Sequence, residues 1–406
     1  MKYHIALLWT FLFACTSCQV FSQKEKKNTG EDKTQEYKPI VTGAENTDAY
    51  FDMLKGKRIA LMVNHTSLIG DLHLVDSLLK ANMKIEKIFA PEHGFRGTAD
   101  AGEKVKSGID EATGIPIISL YGSKVKPDSA DLQNVDVVVY DIQDVGVRCF
   151  TYISSLYYLM EACADAGIPI VVLDRPNPNI HRVDGPMVKK AYRSFVSLLP
   201  VPLVYGLTVG ELAQMIVGER WIDKPTQPKL TVVPCKNYTR HTHYSLPIKP
   251  SPNLPNDRAV YLYPSLVFFE GTNVSVGRGT EFPFEVFGAP EWKSLQFEFK
   301  PKSMPGAKNP PFLNTTCKGY DLRKPTSEFG SENEQVNFLY LLKAYSNAPD
   351  KQQFFLKNGF VNKLAGYNLT AQIESELSVE EIRASWERGT TAFKLSRKKY
   401  FLYPEN

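Results

Sequence analysis

From residue 58 onward the chain alternates short, largely apolar runs with amphipathic stretches. The runs lie at residues 58–63, 85–90, 115–120, 135–140 and 168–173, and each breaks off in a polar cluster. Such runs predict strands buried on both faces of a parallel sheet. Between them, residues 72–79 and 151–166 carry helical spacing. In the second, Leu156, Leu159, Met160 and Cys163 recur on one helical face, and Gly167 supplies the stop. A helix near 209–218 and a strand at 230–233 close the series. This alternation predicts an α/β fold, a Rossmann-like parallel-sheet domain over residues 46–250 with helices on both faces. The pattern then changes. The proline-rich stretch 247–255 reads as a hinge or site loop. Residues 251–406 read as a smaller C-terminal α+β domain. Its expected parts are strand-like segments flanking residues 270–281, starting with the aromatic 260–269, helices at 332–344 and 379–387, an antiparallel sheet and a terminal strand at 400–403.

The N-terminus follows a different logic. Residues 5–14 are apolar apart from Thr10, too few to span a bilayer but suited to the core of a secretory signal. Small or branched residues at 20–22 suit cleavage, so residues 1–22 read as a signal peptide. Cys15, after Leu12-Phe13-Ala14, resembles a lipoprotein box, and Cys18 is a second candidate. Residues 23–36 are a charged run without apolar period, so 23–45 reads as a flexible linker. The expectation is export, to the periplasm or to a lipid anchor, with no other membrane contact.

Composition narrows the classes. Of 406 residues 43% are hydrophobic, which excludes a disordered chain. Six cysteines are too sparse for a disulfide scaffold, and Cys149, Cys163, Cys235 and Cys317 form no C-x-x-C pair. The net charge of +4 argues against a nucleic-acid binder. Removing residues 1–22 takes one base, Lys2, and no acid, leaving 47 bases against 44 acids.

In parallel sheets ligands sit outside the carboxyl ends of the strands. Five such ends here carry Asn64/His65, Glu92/His93, Tyr121, Asp141/Asp144 and Asp174/Arg175/Asn177. No G-x-G-x-x-G, P-loop or G-x-S-x-G motif accompanies them, so no dinucleotide, nucleotide or serine-hydrolase chemistry is expected. Neither a cofactor nor a metal is expected, since no H-E-x-x-H spacing exists. A second polar stretch, residues 270–281, holds Glu270, Asn273, Arg278 and Glu281 among glycines.

Several segments together resemble one family. They are N-H-T-S at 64–67, A-P-E-H-G-F-R-G at 90–97, Y-D-I-Q-D-V-G-V-R at 140–148 and L-D-R-P-N-P at 173–178. P-S-P-N at 250–253 and E-G-T-N at 270–273 complete the set. The chain is similar over roughly residues 50–406 to the NamZ-type exo-β-N-acetylmuramidases, long catalogued as a domain of unknown function. The resemblance implies a Rossmann-like domain without a dinucleotide and a C-terminal α/β domain. It also implies removal of terminal N-acetylmuramic acid from the non-reducing ends of peptidoglycan fragments.

Glycoside cleavage needs an acid for the leaving oxygen and a group facing the oxocarbenium-like carbon. Glu92 is the expected acid, because it follows an apolar strand and sits beside Pro91 and Phe95, where burial would raise its pKa. His93 reads as its partner or as a core histidine. Asp141, Asp144 and Glu270 compete for the second carboxylate, the alternative being ion pairs with Arg148 or Arg175. Participation by the substrate's acetamido group is a third route. The lactyl carboxylate of muramic acid favours a guanidinium, so Arg96, Arg148, Arg175 and Arg278 are candidates. Tyr121, Tyr152 and Tyr263 could stack on sugar, and Asn64, Asn177, Asn253, Asn273 and Glu281 complete the expected binding set. Two other readings stand beside this one: a non-catalytic sugar-binding lipoprotein, and a metal-dependent phosphoesterase using Asp141, Asp144 and His93.

Overall fold

The computed structural model describes residues 38–95, 103 and 106–405. The signal segment, Cys15, Cys18 and Arg96 lie outside the described residues. The apolar runs form the strands of one sheet: β1 (Arg58–Val63), β4 (Lys84–Ala90), β6 (Pro116–Ser119), β7 (Val137–Asp141), β8 (Ile170–Leu173) and β9 (Leu230–Val233). The short β2 (Leu68–Ile69) and β3 (Leu72–His73) pair as a hairpin, and β5 (Gly108–Ile109) lines the sheet edge. The order is β5-β6-β4-β1-β7-β8-β9. All neighbours are parallel except β5. Counted along the parallel strands, this is the doubly wound Rossmann order.

The runs of the central strands β1, β7 and β8 are apolar because both faces are covered. Ile59, Leu61 and Val63 join Leu54, Leu74, Val75 and Leu78 from α1 (Phe51–Leu54) and α2 (Leu74–Lys80). Ala60 and Met62 face the other way, into a cluster with Leu156, Met160, Leu212 and Ile216 of α3 (Tyr152–Ala166) and α4 (Val209–Gly218). Gly167 ends α3 at φ 69°, as its position predicts. Thr208 and Glu211 form a reciprocal capping box at the start of α4.

The second cluster does not stop at the sheet. It continues through Phe268, Phe269, Phe287 and Leu341 of the C-terminal half. Pro39–Asn406 is accordingly one compact unit. The C-terminal half opens with α5 (Asp257–Leu266). An antiparallel sheet of β10 (Val286–Ala289), β11 (Phe297–Phe299) and β12 (Cys317–Asp321) follows, ordered β10-β12-β11. Then come α6 (Leu339–Asn347), α7 (Phe360–Ala365), α8 (Leu369–Glu374) and α9 (Val379–Ser396).

Four expectations change. Residues 260–269 are helical rather than strand-like: the Asn256 side chain accepts from Ala259 N at 2.9 Å and starts α5, which runs on into a 3-10 turn. The helix expected at 332–344 begins only at Leu339, because Val336 N is already taken by the Asp184 carboxylate at 2.6 Å. Residues 400–403 form no strand, since Leu402 N is claimed by Glu211 Oε1 at 2.9 Å. The linker expected to reach residue 45 is already built into the fold at Val41, which pairs with Lys236, and at Gly43, whose N donates to Asp174 O at 2.7 Å.

Candidate active site

A cavity of about 1060 Å³ opens where the carboxyl ends of β4 and β6 and the start of α3 meet the C-terminal half. Glu92, His93, Tyr121 and Tyr152 line it from the sheet side, and Tyr263, Glu270, Asn273 and Arg278 from the other. Seven of the expected site residues therefore share one space, beside Tyr263, the third ring expected to stack on sugar.

Glu92 is placed by backbone as well as by side chain. His93 sits at φ 66° and Gly94 at φ 75°, so the chain leaves β4 in a tight left-handed turn closed by Gly94 N to Pro91 O at 3.0 Å. A non-glycine residue in that region is uncommon and marks a constrained position. Each oxygen of the Glu92 carboxylate accepts a hydroxyl: Tyr121 to Oε1 at 2.7 Å and Thr151 to Oε2 at 2.8 Å. Thr151 is the N-cap residue of α3 but caps nothing with its side chain. Its hydroxyl goes to Glu92, which faces the positive end of a 15-residue helix. Burial and the adjacent Glu92 push the Tyr121 phenol upward, so it stays a donor.

Two other carboxylates line the cavity: Glu103, which pairs with Lys308, and Glu270, at the end of the 3-10 turn after α5. Arg278 Nη2 donates to its Oε1 at 2.5 Å, and the Arg278 guanidinium lies 5.0 Å from the centre of the Phe284 ring. Both side chains remain partly open. Cys149 also lines the cavity, but its Sγ donates to Leu364 O and burial pushes the thiol up to about 12. It is no nucleophile at neutral pH. The four described cysteines are all buried and free.

The remaining expected residues serve the frame. Arg175 clamps Asp141 with two bonds of 2.5 and 2.9 Å and reaches Leu68 O at 3.0 Å. Asp144 accepts from Gly146 N at 2.6 Å and from the Tyr205 hydroxyl, while burial pushes its carboxyl up to about 6. Asn64 Oδ1 accepts from Thr66 N and Oγ1 at 2.9 and 2.6 Å. Asn177 links Leu207 O and Asn179 N at 2.8 Å each, and Asn253 donates to Gly306 O at 2.8 Å. Arg148 is wholly buried among backbone carbonyls. Glu281 is exposed and lies off the cavity. Asp141 and Asp144, expected as candidates for the second catalytic carboxylate, and Arg148 and Arg175, expected on the sugar, are instead buried internal supports, and none of the four lines the cavity. Among the described residues no three His, Cys, Asp or Glu side chains converge as a metal-ligand set.

Thr151 escaped the sequence reading, since a threonine ahead of a strong helix looks like an ordinary cap. The buried Tyr152 hydroxyl and Asn64 side chain face each other, while Asp144 Oδ1, deeper in the frame, has no hydrogen-bond partner.

Fold and site define a class: an α/β protein with a carboxylate-bearing cleft on a Rossmann-like sheet that lacks a phosphate-binding loop. The chain belongs to the exo-β-N-acetylmuramidase NamZ family, whose N-terminal model matches residues 59–258 and whose C-terminal model matches residues 261–403. It is 40% identical over 374 residues to the peptidoglycan β-N-acetylmuramidase NamZ of Bacillus subtilis strain 168, covering 87% of this chain and 89% of that one. A DUF1343 family protein of Bacteroides fragilis superposes with TM-score 0.82 at 47% identity, over 91% of this chain and all of the other. A second B. fragilis protein of that family gives 0.72 at 30% identity, over 90% of this chain and 99% of its own.

Proposed function

We propose that the chain is an exo-acting β-N-acetylmuramidase that releases terminal N-acetylmuramic acid from the non-reducing ends of peptidoglycan fragments, with Glu92 as general acid. One observation carries the role of Glu92: it is a cavity carboxylate with both oxygens fixed by hydroxyl groups, in a cavity that Glu270 also lines. Tyr121 and Thr151 hold the carboxyl group in one rotamer, so the group is oriented before the substrate arrives. As the bond between the anomeric carbon and the leaving oxygen breaks, the Glu92 proton passes to that oxygen. Over the whole cycle water gives its hydroxyl to the anomeric carbon and its proton restores the acid. Glu270 stabilises positive charge at that carbon. Apolar walls, including Phe150, Phe195 and Phe284, pack against sugar faces and exclude water.

The substrate class follows from the family and from the B. subtilis relative named for this activity. Export completes the reading: residues 1–22 direct secretion, and the enzyme works in the periplasm or from a lipid on Cys15 or Cys18. Palmitate labelling of wild type against Cys15→Ala and Cys18→Ala separates these two forms.

The decisive experiment is hydrolysis of a chromogenic β-N-acetylmuramide, beside the matching β-N-acetylglucosaminide, by wild type and Glu92→Gln. The variant should lose about 10²–10⁴ in kcat/KM with an unchanged melting temperature. An undiminished Glu92→Gln removes the acid role, and a wild type inert on the muramide removes the activity.

A further inference from the structure

N-acetylmuramic acid differs from N-acetylglucosamine by a lactyl ether that ends in a carboxylate. An enzyme selective for it needs a cation inside the cleft. Of the cations in or near the cleft, Lys308 is paired with Glu103, and two expected arginines are turned into the protein. Arg175 is spent on Asp141 and Leu68 O, and Arg148 on carbonyls and Ser197. Arg278 differs. It lines the cavity and makes a single hydrogen bond, from Nη2 to Glu270 Oε1. A guanidinium carries five N–H donors in a planar fork. The Phe284 ring beneath it, at 5.0 Å, orients that plane. Its side chain is 19% exposed and that of Glu270 25%, so an anion can reach the pair.

We propose that Arg278 reads the lactyl carboxylate, and that the incoming carboxylate displaces Glu270 from the guanidinium. The proposal rests on the muramidase reading and deepens it. Before binding, Glu270 is tied up by Arg278. A lactyl carboxylate can take the fork with two parallel bonds, where Glu270 has one. Glu270 is then released toward the reacting carbon. Its charge already reaches the same tyrosines as that of Glu92, Tyr121 and Tyr263, so the two carboxylates share one small space. A sugar without the lactyl group leaves Glu270 neutralised. Recognition thereby raises turnover as well as affinity, which is how binding energy becomes specificity in the chemical step.

The test uses the full-length mature enzyme, chromogenic β-N-acetylmuramide as substrate, and free N-acetylmuramic acid and N-acetylglucosamine as competing inhibitors. Wild type should bind the muramic acid more tightly than the glucosamine. Arg278→Met should erase that preference, a change of about ten- to a hundredfold for one lost charge-assisted pair. Arg278→Lys should restore only part of it, lacking the fork, and it carries the test if the Met variant does not fold. Glu270→Gln is the distinguishing arm. It removes the competitor, so inhibition by N-acetylmuramic acid should hold or tighten while kcat falls. A preference that survives in Arg278→Met, or one lost in Arg96→Met instead, overturns the assignment. Weaker muramic acid binding in Glu270→Gln overturns the exchange. A wild type that cleaves the muramide while these arms fail leaves the muramidase reading standing. A wild type inert on it takes both down.

Discussion

Arg148 ends the motif D-I-Q-D-V-G-V-R, and its environment yields a sharp test of the frame against the site. Its guanidinium donates all five N–H groups: Nε to Ser197 Oγ at 3.1 Å, Nη1 to Pro186 O and Val201 O at 2.7 and 2.8 Å, and Nη2 to Leu364 O and Ala365 O at 2.9 Å each. No carboxylate faces it. Burial pulls its pKa down to about 10, still well above neutral pH. The acceptors belong to the loop before α4 and to α7, so the side chain ties the sheet half to the C-terminal half. Arg148→Met keeps the aliphatic stem and strips the donors. Leu364 O retains Ser197 Oγ at 3.2 Å and Cys149 Sγ at 3.4 Å. Pro186 O, Val201 O and Ala365 O lose a strong donor, at about 1–3 kcal/mol for each one left unsatisfied. Relief from burying a charge offsets part of that, so the net loss should be about 3–5 kcal/mol. At roughly 2 °C per kcal/mol for a chain of this size, the melting temperature should fall by about 6–10 °C. Differential scanning calorimetry measures the fall, and muramide kinetics at 15 °C measure KM on the surviving folded enzyme. A melting temperature within about 1 °C of wild type, together with a tenfold rise in KM, would show that Arg148 reads the sugar and that the clamp argument is wrong.

Two further perturbations probe the same frame. Gly146 holds φ 72°, and a Cβ there would sit 2.4 Å from the Asn177 amide, so Gly146→Ala should lose more than about 2 kcal/mol by urea denaturation. A near-neutral result would mean that the Asn177 loop moves freely. Asp144 titrates at about 6 in the fold against 3.8 unfolded, because burial disfavours its charge. The folded state therefore binds the proton more tightly between those values. The stability this contributes is complete below pH 3.8 and lost as pH rises through 6, by on the order of 3 kcal/mol. Asp144→Asn should remove that loss, so that its stability relative to wild type improves from pH 4 to pH 7 in urea titrations. A difference independent of pH would refute the burial argument.

The sheet was legible because its strands are buried on both faces, which leaves uninterrupted apolar runs such as 58–63 and 168–173. The longest helix of that half, α3, was legible through its apolar spacing and the glycine that stops it. The C-terminal half was less so. Its aromatic segments serve a shared core rather than one sheet face, and 260–269 looked extended because β-branched and aromatic residues fill a helix whose start is set by a distant-looking Asn256. Residue type and motif pointed to Glu92, Tyr121, Glu270 and Arg278, which the fold gathers around one cavity. Type and motif could not tell a cavity arginine from a buried one. Arg148, Arg175 and Arg278 all sit in polar motifs, and only the acceptors around each decide its use.

Those acceptors also fill the crevice at which a Rossmann order usually binds a nucleotide. The usual crevice lies where strand order reverses, here between β1 and β7. That place is filled. The Asp141–Arg175 ion pair lies across it, Ser67 Oγ donates to Asp141 O, and Gln143 N donates to Thr66 Oγ1 at 3.0 Å. Asn64, Ser67, Asp141 and Asp174 are all buried. At the next strand end Asp174 accepts from Thr208 Oγ1, Gly210 N and Tyr403 at 2.7, 2.8 and 2.5 Å, binding the C-terminal segment over β8. A phosphate could enter there only by displacing buried, mutually satisfied charges, which carries a large desolvation penalty. The open strand ends are those of β4 and β6, on the other arm of the sheet, and Glu92 and Tyr121 follow them directly. The charged motif residues thus divide by sheet position. Those beside the switch point brace the rim loops, while those one and two strands away face the cavity. An ion pair such as Asp141–Arg175 holds those loops at fixed heights against the second half of the chain. That rigidity keeps the Glu92 carboxylate within hydrogen-bonding distance of hydroxyls from two separate elements, the preorganisation that a proton donor to a departing sugar requires.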